Sequence, residues 1–173
     1  MIHTLTNHFL KRKEVKEIIT ILEKASLELR FVGGCVRNLL MQREVIDIDL
    51  AIKAHPEEVI ATLEKNEIQY DDFAKKYGSV IAYVNKQKFD ITSLREDINQ
   101  QGRHTNIRYT KDWKTDSQRR DFTMNSVYLS SDGTLHDYYN GQKHIADQKL
   151  QFIGDIEKSI KEDYLRIFRY YRF

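Results

Sequence analysis

The stretch FVGGCVRNLLMQREVIDIDLAI, residues 31–52, constrains this chain more than any other. An apolar run ends at Gly33 and Gly34, a short helical pattern carries Arg37, and an alternating run contains Asp47 and Asp49. The spacing predicts a strand, a glycine turn, a helix and a second strand. Residues two apart on a strand project to one side, so Asp47 and Asp49 should share a face. Two close carboxylates repel and resist desolvation, so a cation is expected between them. Oxygen ligands of this kind suit Mg²⁺, which also takes substrate phosphate oxygens. Free backbone N–H groups after Gly33 and Gly34 can hold phosphate, and Arg37 would add a charged fork. Together they predict a single site for a nucleoside triphosphate and metal, with in-line phosphoryl or nucleotidyl transfer as its chemistry.

The rest of the chain supplies a frame for that site. Residues 9–24 are spaced as an amphipathic helix, and Pro56 with acidic neighbours marks a helix start. SVIAYVNKQKFDITSL reads as two strands joined near residues 85–88. On the second of these, Asp90 is either a third carboxylate facing the same site or an ordinary solvent-facing strand residue. Residues 96–117 are polar without sustained periodicity and are expected to form a long loop. QRRDFTMNSVYL predicts a short helix running into a strand, SSDG a turn and TLHDYY another strand. From about residue 142 the pattern is helical, and SIKEDYLRIFRYYRF carries no stop signal, so a longer helical region is expected.

Length and charge narrow the class. The chain's 173 residues suit one domain, or one domain and the start of another, and a net charge of +2 excludes a uniformly basic nucleic-acid coat. No membrane partner is expected, because no apolar run is long enough to cross a bilayer and the N-terminus lacks the order of a signal peptide. A single cysteine, Cys35, leaves no internal disulfide and fits a reducing, cytoplasmic setting. Cys35 is expected to be a small buried residue, the six histidines show no metal-ligand spacing, and Trp113 is expected to anchor its polar surroundings by packing.

FVGGCVRNLLM…DIDLAI, QRRDFTMNSVYL and EDYLRIFRYYRF, in that order, resemble successive signatures of the bacterial class of tRNA nucleotidyltransferases. These are the CCA-adding enzymes and the related bacterial poly(A) polymerases, within the polymerase-β-like nucleotidyltransferase superfamily. The resemblance runs from about residue 28 to the end. It implies an α+β fold: a nucleotidyltransferase head with a small mixed sheet flanked by helices (1–141), followed by the start of a helical neck (142–173). It further implies that Asp47 and Asp49 are catalytic and hold two Mg²⁺ ions, and that Gly34, Arg37 and Arg120 contact nucleotide, with Gly33 beside them. Asp121 and Asn125 would organise their motif.

On the third motif, Asp163 and Arg166 stand three apart, as neighbours on one helix face. Adenine and cytosine offer an amino donor beside a ring-nitrogen acceptor, whereas guanine and uracil offer the reverse. An Asp acceptor beside an Arg donor therefore complements ATP and CTP and opposes GTP and UTP. The resemblance implies that template role, with Arg169 and Arg172 as further nucleotide contacts. A solvated charged stripe beside a core face of Leu165, Phe168 and Tyr171 is the plain alternative. Asn38 replaces an acid usual in the family, and Tyr138 stands where proline is common. Arg103 and His104 lie in the family's flexible loop and receive no catalytic role.

The implied partners are CTP, ATP and the 3′ end of tRNA. Self-association, or a second chain, is expected through an exposed C-terminal helix. A CC-only or A-only enzyme, a poly(A) polymerase with the same head and a non-catalytic nucleotide-binding module are the alternatives.

Overall fold

The computed structural model describes residues 2–101 and 104–173, so Arg103 lies outside the described residues. Alternation along the central strands decides which face of the sheet each residue joins. Strands β1 (Leu29–Val32), β2 (Ile48–Ile52), β3 (Gln69–Asp71), β4 (Ser79–Val84), β5 (Gln87–Ser93), β8 (Val127–Leu129) and β9 (Leu135–Asp137) form one mixed sheet in the order β3-β4-β5-β2-β1-β8-β9. Only β2 and β5 run parallel; the other neighbours are antiparallel. Ile48, Leu50 and Ile52 of β2 join Phe89 and Ile91 of β5 in the main core, together with Phe31, Val80, Ala82 and Leu129. The odd-numbered β2 residues turn the other way, where Ala51 meets Val32, Leu94, Trp113 and Tyr128 in a second, smaller cluster. Asp49 belongs to that second face, at the middle of the sheet.

Helices cover the first face. Helix α2 (Lys13–Lys24) buries Val15, Ile18, Ile19 and Leu22, α3 (Gly34–Leu40) buries Cys35, Val36, Leu39 and Leu40, and α4 (Pro56–Lys65) buries Val59 and Leu63. The single helix expected over 9–24 is two: α1 (Ile2–Leu10) ends before Arg12, whose ψ of 137° is extended. That break lets Phe9 pack edge-on against Phe31 at 5.0 Å while α2 lays its own apolar stripe on the core.

The described residues of the stretch expected as a loop over 96–117 are mostly strand and helix. They form a two-stranded antiparallel hairpin, β6 (Arg95–Gln101) with β7 (His104–Tyr109), followed by α5 (Trp113–Gln118). Cross-strand polar pairs such as Arg108–Glu96, at 2.5 Å, replace the apolar alternation that would have revealed a strand. Asp112 starts α5 by accepting the N–H groups of Lys114 and Thr115. The expected motif helix before β8 is a single 3₁₀ turn at Thr123–Asn125.

The C-terminal segment contains α6 (Gly141–Ala146), α7 (Ile156–Glu162) and α8 (Leu165–Arg172). The continuous terminal helix is interrupted at Asp163, where φ is −151° and ψ 100°. Asp163 accepts the N–H of Leu165 at 2.9 Å, so its side chain caps the new helix. Helix α8 is inverted relative to an ordinary surface helix. Leu165, Phe168 and Tyr171 are 58%, 73% and 83% exposed, whereas Arg166 is only 6% exposed. These three side chains form the exposed C-terminal face that was expected, and not the core face of the plain alternative. Among the described residues, no helix is long and apolar enough to cross a membrane.

Candidate active site

The sheet face opposite the main core opens on a cavity of about 510 Å³ at the ends of β1 and β2. Antiparallel register sets Val32 beside Asp49, so Gly33 follows directly against the Asp49 carboxylate. Gly33 has φ +74°, and a Cβ there would stand 3.2 Å from Asp49 Oδ2 and 3.8 Å from Arg120 Nη1. The glycine is thus the gap through which a carboxylate and a guanidinium approach the backbone. Parallel register sets Asp90 directly beside Asp49 on the next strand. Burial, and then the Asp90 charge, raise the Asp49 carboxyl above its ordinary range; Arg120 opposes this and Asp47 adds to it. Asp47 lies one residue before β2, on exposed backbone, and not on the strand as its spacing implied; it still lines the same cavity.

Arginines form the opposite wall. Arg37, Arg119, Arg120, Arg166, Arg169 and Arg172 all line the cavity. Burial lowers the Arg37 guanidinium pKa, Arg172 and Arg43 lower it further, and Asp121 only partly compensates. This is positive charge held short of counter-charge, as an anion site requires. Phe173 lies over Arg37 at 4.7 Å.

One hydrogen-bonded chain spans the cavity. Arg37 Nη1 donates to Asn125 Oδ1 at 2.8 Å, Asn125 Nδ2 donates to Asp121 Oδ1 at 3.0 Å, and Arg169 Nε donates to Asp121 Oδ2 at 2.8 Å. Arg169 Nη2 then donates to Asp163 Oδ2 at 2.7 Å. Burial pushes the Asp163 carboxyl up, but the bonds from Arg169 and the Leu165 N–H hold it below its ordinary value. Asp163 and Arg166 are therefore not the side-by-side pair that a continuous helix implied, because the helix breaks between them and Asp163 turns to Arg169. Arg166 points inward, donating to Ser159 Oγ and to the Arg119 carbonyl at 3.1 Å, while its buried Nε has no partner among the described residues.

Asn38, at a position where an acid is usual in the family, bonds through both ends of its amide. Its Oδ1 accepts from Arg37 Nη2 at 3.1 Å, and its Nδ2 donates to the Glu44 carbonyl at 3.0 Å, which a carboxylate could not do. Tyr138 places its hydroxyl 3.3 Å from Arg30 Nη1. Trp113 anchors its surroundings as expected: it is buried, donates to Glu28 and lies 4.1 Å under the Arg30 guanidinium. Burial, with Asp49 nearby, pushes the Cys35 thiol up to about 12, which leaves it unreactive.

The candidate catalytic and nucleotide-binding residues named from the sequence, with Asp121 and Asn125, all line this cavity; Asp90 does not, and acts on Asp49 from beside it. Sequence reasoning missed Asp97 and Arg119, which also line it, and Asp116 and Tyr128, which stand behind it. Asp97 was hidden in the stretch expected to be a loop. No three His, Cys, Asp or Glu residues among those described form a metal cage by themselves, so an ion here would need oxygens from a ligand.

A mixed sheet carrying paired acids at its centre and facing an arginine wall is the frame of a polymerase-type head. Residues 29–151 match the family model described as the Poly A polymerase head domain, and the chain belongs to that family. The chain is 38% identical, over 95% of its length, to the protein named CCA tRNA nucleotidyltransferase 1, mitochondrial, of Danio rerio. It spans 40% of that relative. The crystal structure of the Bacillus stearothermophilus CCA-adding enzyme in complex with CTP superposes with a TM-score of 0.83 at 31% identity, covering 93% of this chain and 38% of the other. A tRNA nucleotidyltransferase complexed with a primer tRNA and an incoming ATP analog gives a TM-score of 0.72 at 26% identity, covering 89% of this chain and 43% of that one.

Proposed function

We propose that this chain is the head of a Mg²⁺-dependent nucleotidyltransferase that adds CMP and AMP, from CTP and ATP, to the 3′ end of tRNA. The convergence of Asp47, Asp49 and the arginines of three separate segments on one cavity carries the reading. In it, residues 1–141 are the catalytic head and residues 142–173 begin a helical neck. The RNA 3′ oxygen attacks the α-phosphorus, the bond to the bridging oxygen breaks, and pyrophosphate leaves.

Asp47 and Asp49, with Asp90 behind them, fit a divalent ion completed by phosphate oxygens, because three mutually repelling carboxylates gain from a cation among them. When bound, two such ions would lower the pKa of the attacking hydroxyl and steady the triphosphate. Arg37 and Arg120 hold phosphate and sugar, Gly33 and Gly34 admit the phosphates closely, and Arg172 adds charge. Asp121 and Asn125 keep Arg37 in line with Arg169. Asp163 and Arg166, both on the cavity wall, read the base edge, for which Asp163 exchanges its bond to Arg169 for one to the nucleotide.

The lone Cys35 fits a reducing compartment such as the cytoplasm, and the name of the Danio rerio relative brings in a mitochondrial setting beside it. A tRNA ending before CCA, incubated with CTP, ATP or both, tests the reading. Sequential addition of two C and one A supports it. Repeated A addition, C addition alone or A addition alone each identifies a different enzyme on the same head. No incorporation, with CTP still bound, is the outcome for a binding module or for a head that needs the remaining length of its relatives to hold tRNA, and the same assay on a chain extended to that length separates the two.

A further inference from the structure

Behind the cavity wall, one carboxylate gathers four donors from three elements. Asp116, on α5, is fully buried. It accepts from Arg119 Nε at 2.9 Å, Arg120 Nη2 at 3.3 Å, the Tyr128 hydroxyl at 2.7 Å and the backbone N–H of Arg95 at 3.2 Å. A buried acid with no role beyond stability needs one counter-ion, and replacing such a group by apolar packing is often neutral. Here two guanidiniums share it, and both line the cavity.

The bonding pattern turns each guanidinium in a defined direction. Arg120 uses Nη2 on Asp116 and Nε on the Tyr128 hydroxyl at 3.4 Å, which leaves Nη1 on the side of Gly33 and Asp49. Arg119 uses Nε on Asp116, and its own carbonyl receives Arg166 Nη2. The same carboxylate thereby fixes the guanidinium beside the acids and the backbone that supports the base-facing arginine. Arg95 N–H ties the start of the hairpin to the same point.

We propose that Asp116, with Tyr128 as its partner, is a positioning residue that aims Arg119 and Arg120 at the bound nucleotide. This rests on the nucleotidyl-transfer reading. It differs from a folding role in acting on nucleotide only through the two arginines, and that difference can be measured. Asp116→Asn keeps the size of the side chain but removes its charge and one acceptor. It should weaken Mg²⁺–CTP binding by about tenfold, the scale of one lost charge-assisted hydrogen bond. In an Arg119→Ala/Arg120→Ala background the same change should add less than about twofold, since its intermediaries are gone.

Calorimetry with CTP and Mg²⁺ reads both values on the 173-residue chain. An equal loss in the two backgrounds, or no loss from Asp116→Asn in the natural background, overturns the proposal. A second readout needs no nucleotide: exchange of the Arg119 and Arg120 Nε–H protons with water, followed by NMR. Asp116→Asn should speed both by about tenfold, and Tyr128→Phe should speed that of Arg120 alone. Tyr128→Phe deletes a single oxygen and decides the matter should Asp116→Asn fail to fold. Unchanged Arg120 exchange in Tyr128→Phe overturns the positioning role. Failure of the unaltered chain to bind CTP would instead overturn the nucleotide site and leave the exchange measurement standing.

Discussion

Replacing Gly33 by alanine concentrates two separate penalties on one atom. At φ +74° and ψ −137° the Gly33 backbone sits where residues with a Cβ rarely go, and forcing alanine there costs about 1–3 kcal/mol. The added methyl then stands 3.2 Å from Asp49 Oδ2, so the carboxylate must retreat by a few tenths of an ångström. The backbone penalty of about 1–3 kcal/mol, to which the displaced carboxylate adds, stands against the roughly 5–15 kcal/mol that holds a domain of this kind folded. The variant should remain folded at 25 °C, with its urea midpoint lowered and the slope unchanged.

Gly34→Ala is the matched control, because Gly34 is helical and its new methyl would meet only Arg37 Nη2 at 3.5 Å. It should change stability by less than about 1 kcal/mol. Mg²⁺-dependent CTP binding, measured on the same samples, should fall in Gly33→Ala because Asp49 and Arg120 are displaced together. A Gly33→Ala midpoint indistinguishable from that of Gly34→Ala would refute the reasoning.

Asp49→Asn should stabilise the nucleotide-free protein at neutral pH and abolish transfer. The raised Asp49 pKa means its ionisation opposes folding, so the gain should grow as pH rises through that pKa and vanish below the ordinary carboxylate range, as urea unfolding at several pH values would reveal. Asp116 behaves oppositely. Burial raises its pKa, but Arg119 and Arg120 draw it down to about 2 from 3.8, so roughly 2 kcal/mol of stability is present above pH 4 and lost as pH falls towards 2. An acid titration in which Asp116→Asn loses as much as the unaltered chain would contradict this. Asp163→Ala and Arg166→Ala should each relax discrimination against GTP and UTP by about 1–3 kcal/mol in competition assays, with unchanged CTP and ATP preference refuting the template role. Phe168→Glu, at a side chain 73% exposed, should leave stability within about 0.5 kcal/mol and reduce self-association in sedimentation.

The sheet's central strands were legible because β1 and β2 follow a period of two and end on glycines or turn residues. The Asp47–Asp49 spacing located the cavity, although Asp47 proved to precede the strand. The register that sets Asp90 beside Asp49 could not be read from spacing alone, since it depends on how two separate strands pair. The hairpin was not legible, since its facing residues include ionic and polar pairs such as Glu96 with Arg108 that leave no apolar rhythm. Asp116 was invisible for a related reason. Its significance lies in Tyr128 and Arg95, twelve and twenty-one residues away, and short-range patterns carry no trace of such partners. The break at Asp163 was missed because a capping aspartate inside EDYLR looks the same as a helical one until its φ is known.

The inversion of α8 fixes what kind of solvent governs its seat. Helix α8 turns Arg166 and Arg169 inward and leaves Leu165, Phe168 and Tyr171 outside, so its apolar seat among the described residues is confined to Tyr170 on Phe152 and Phe122 and to the terminal Phe173 on Phe122. Beside that seat stand charged contacts, Arg169 to Asp121 and to Asp163, and these are partly open to solvent. Dissolved ions screen such contacts, and at 1 M salt the screening length is only about 3 Å. The apolar sheet beneath feels no such loss and is strengthened by excluded salts such as sulfate. Electrolyte therefore divides the molecule into two mechanical parts. As ionic strength rises, α8 should loosen while the strand that carries Asp49 stays firm, so that, on the proposed reading of Asp163 and Arg166, fidelity should fade with salt before fold does.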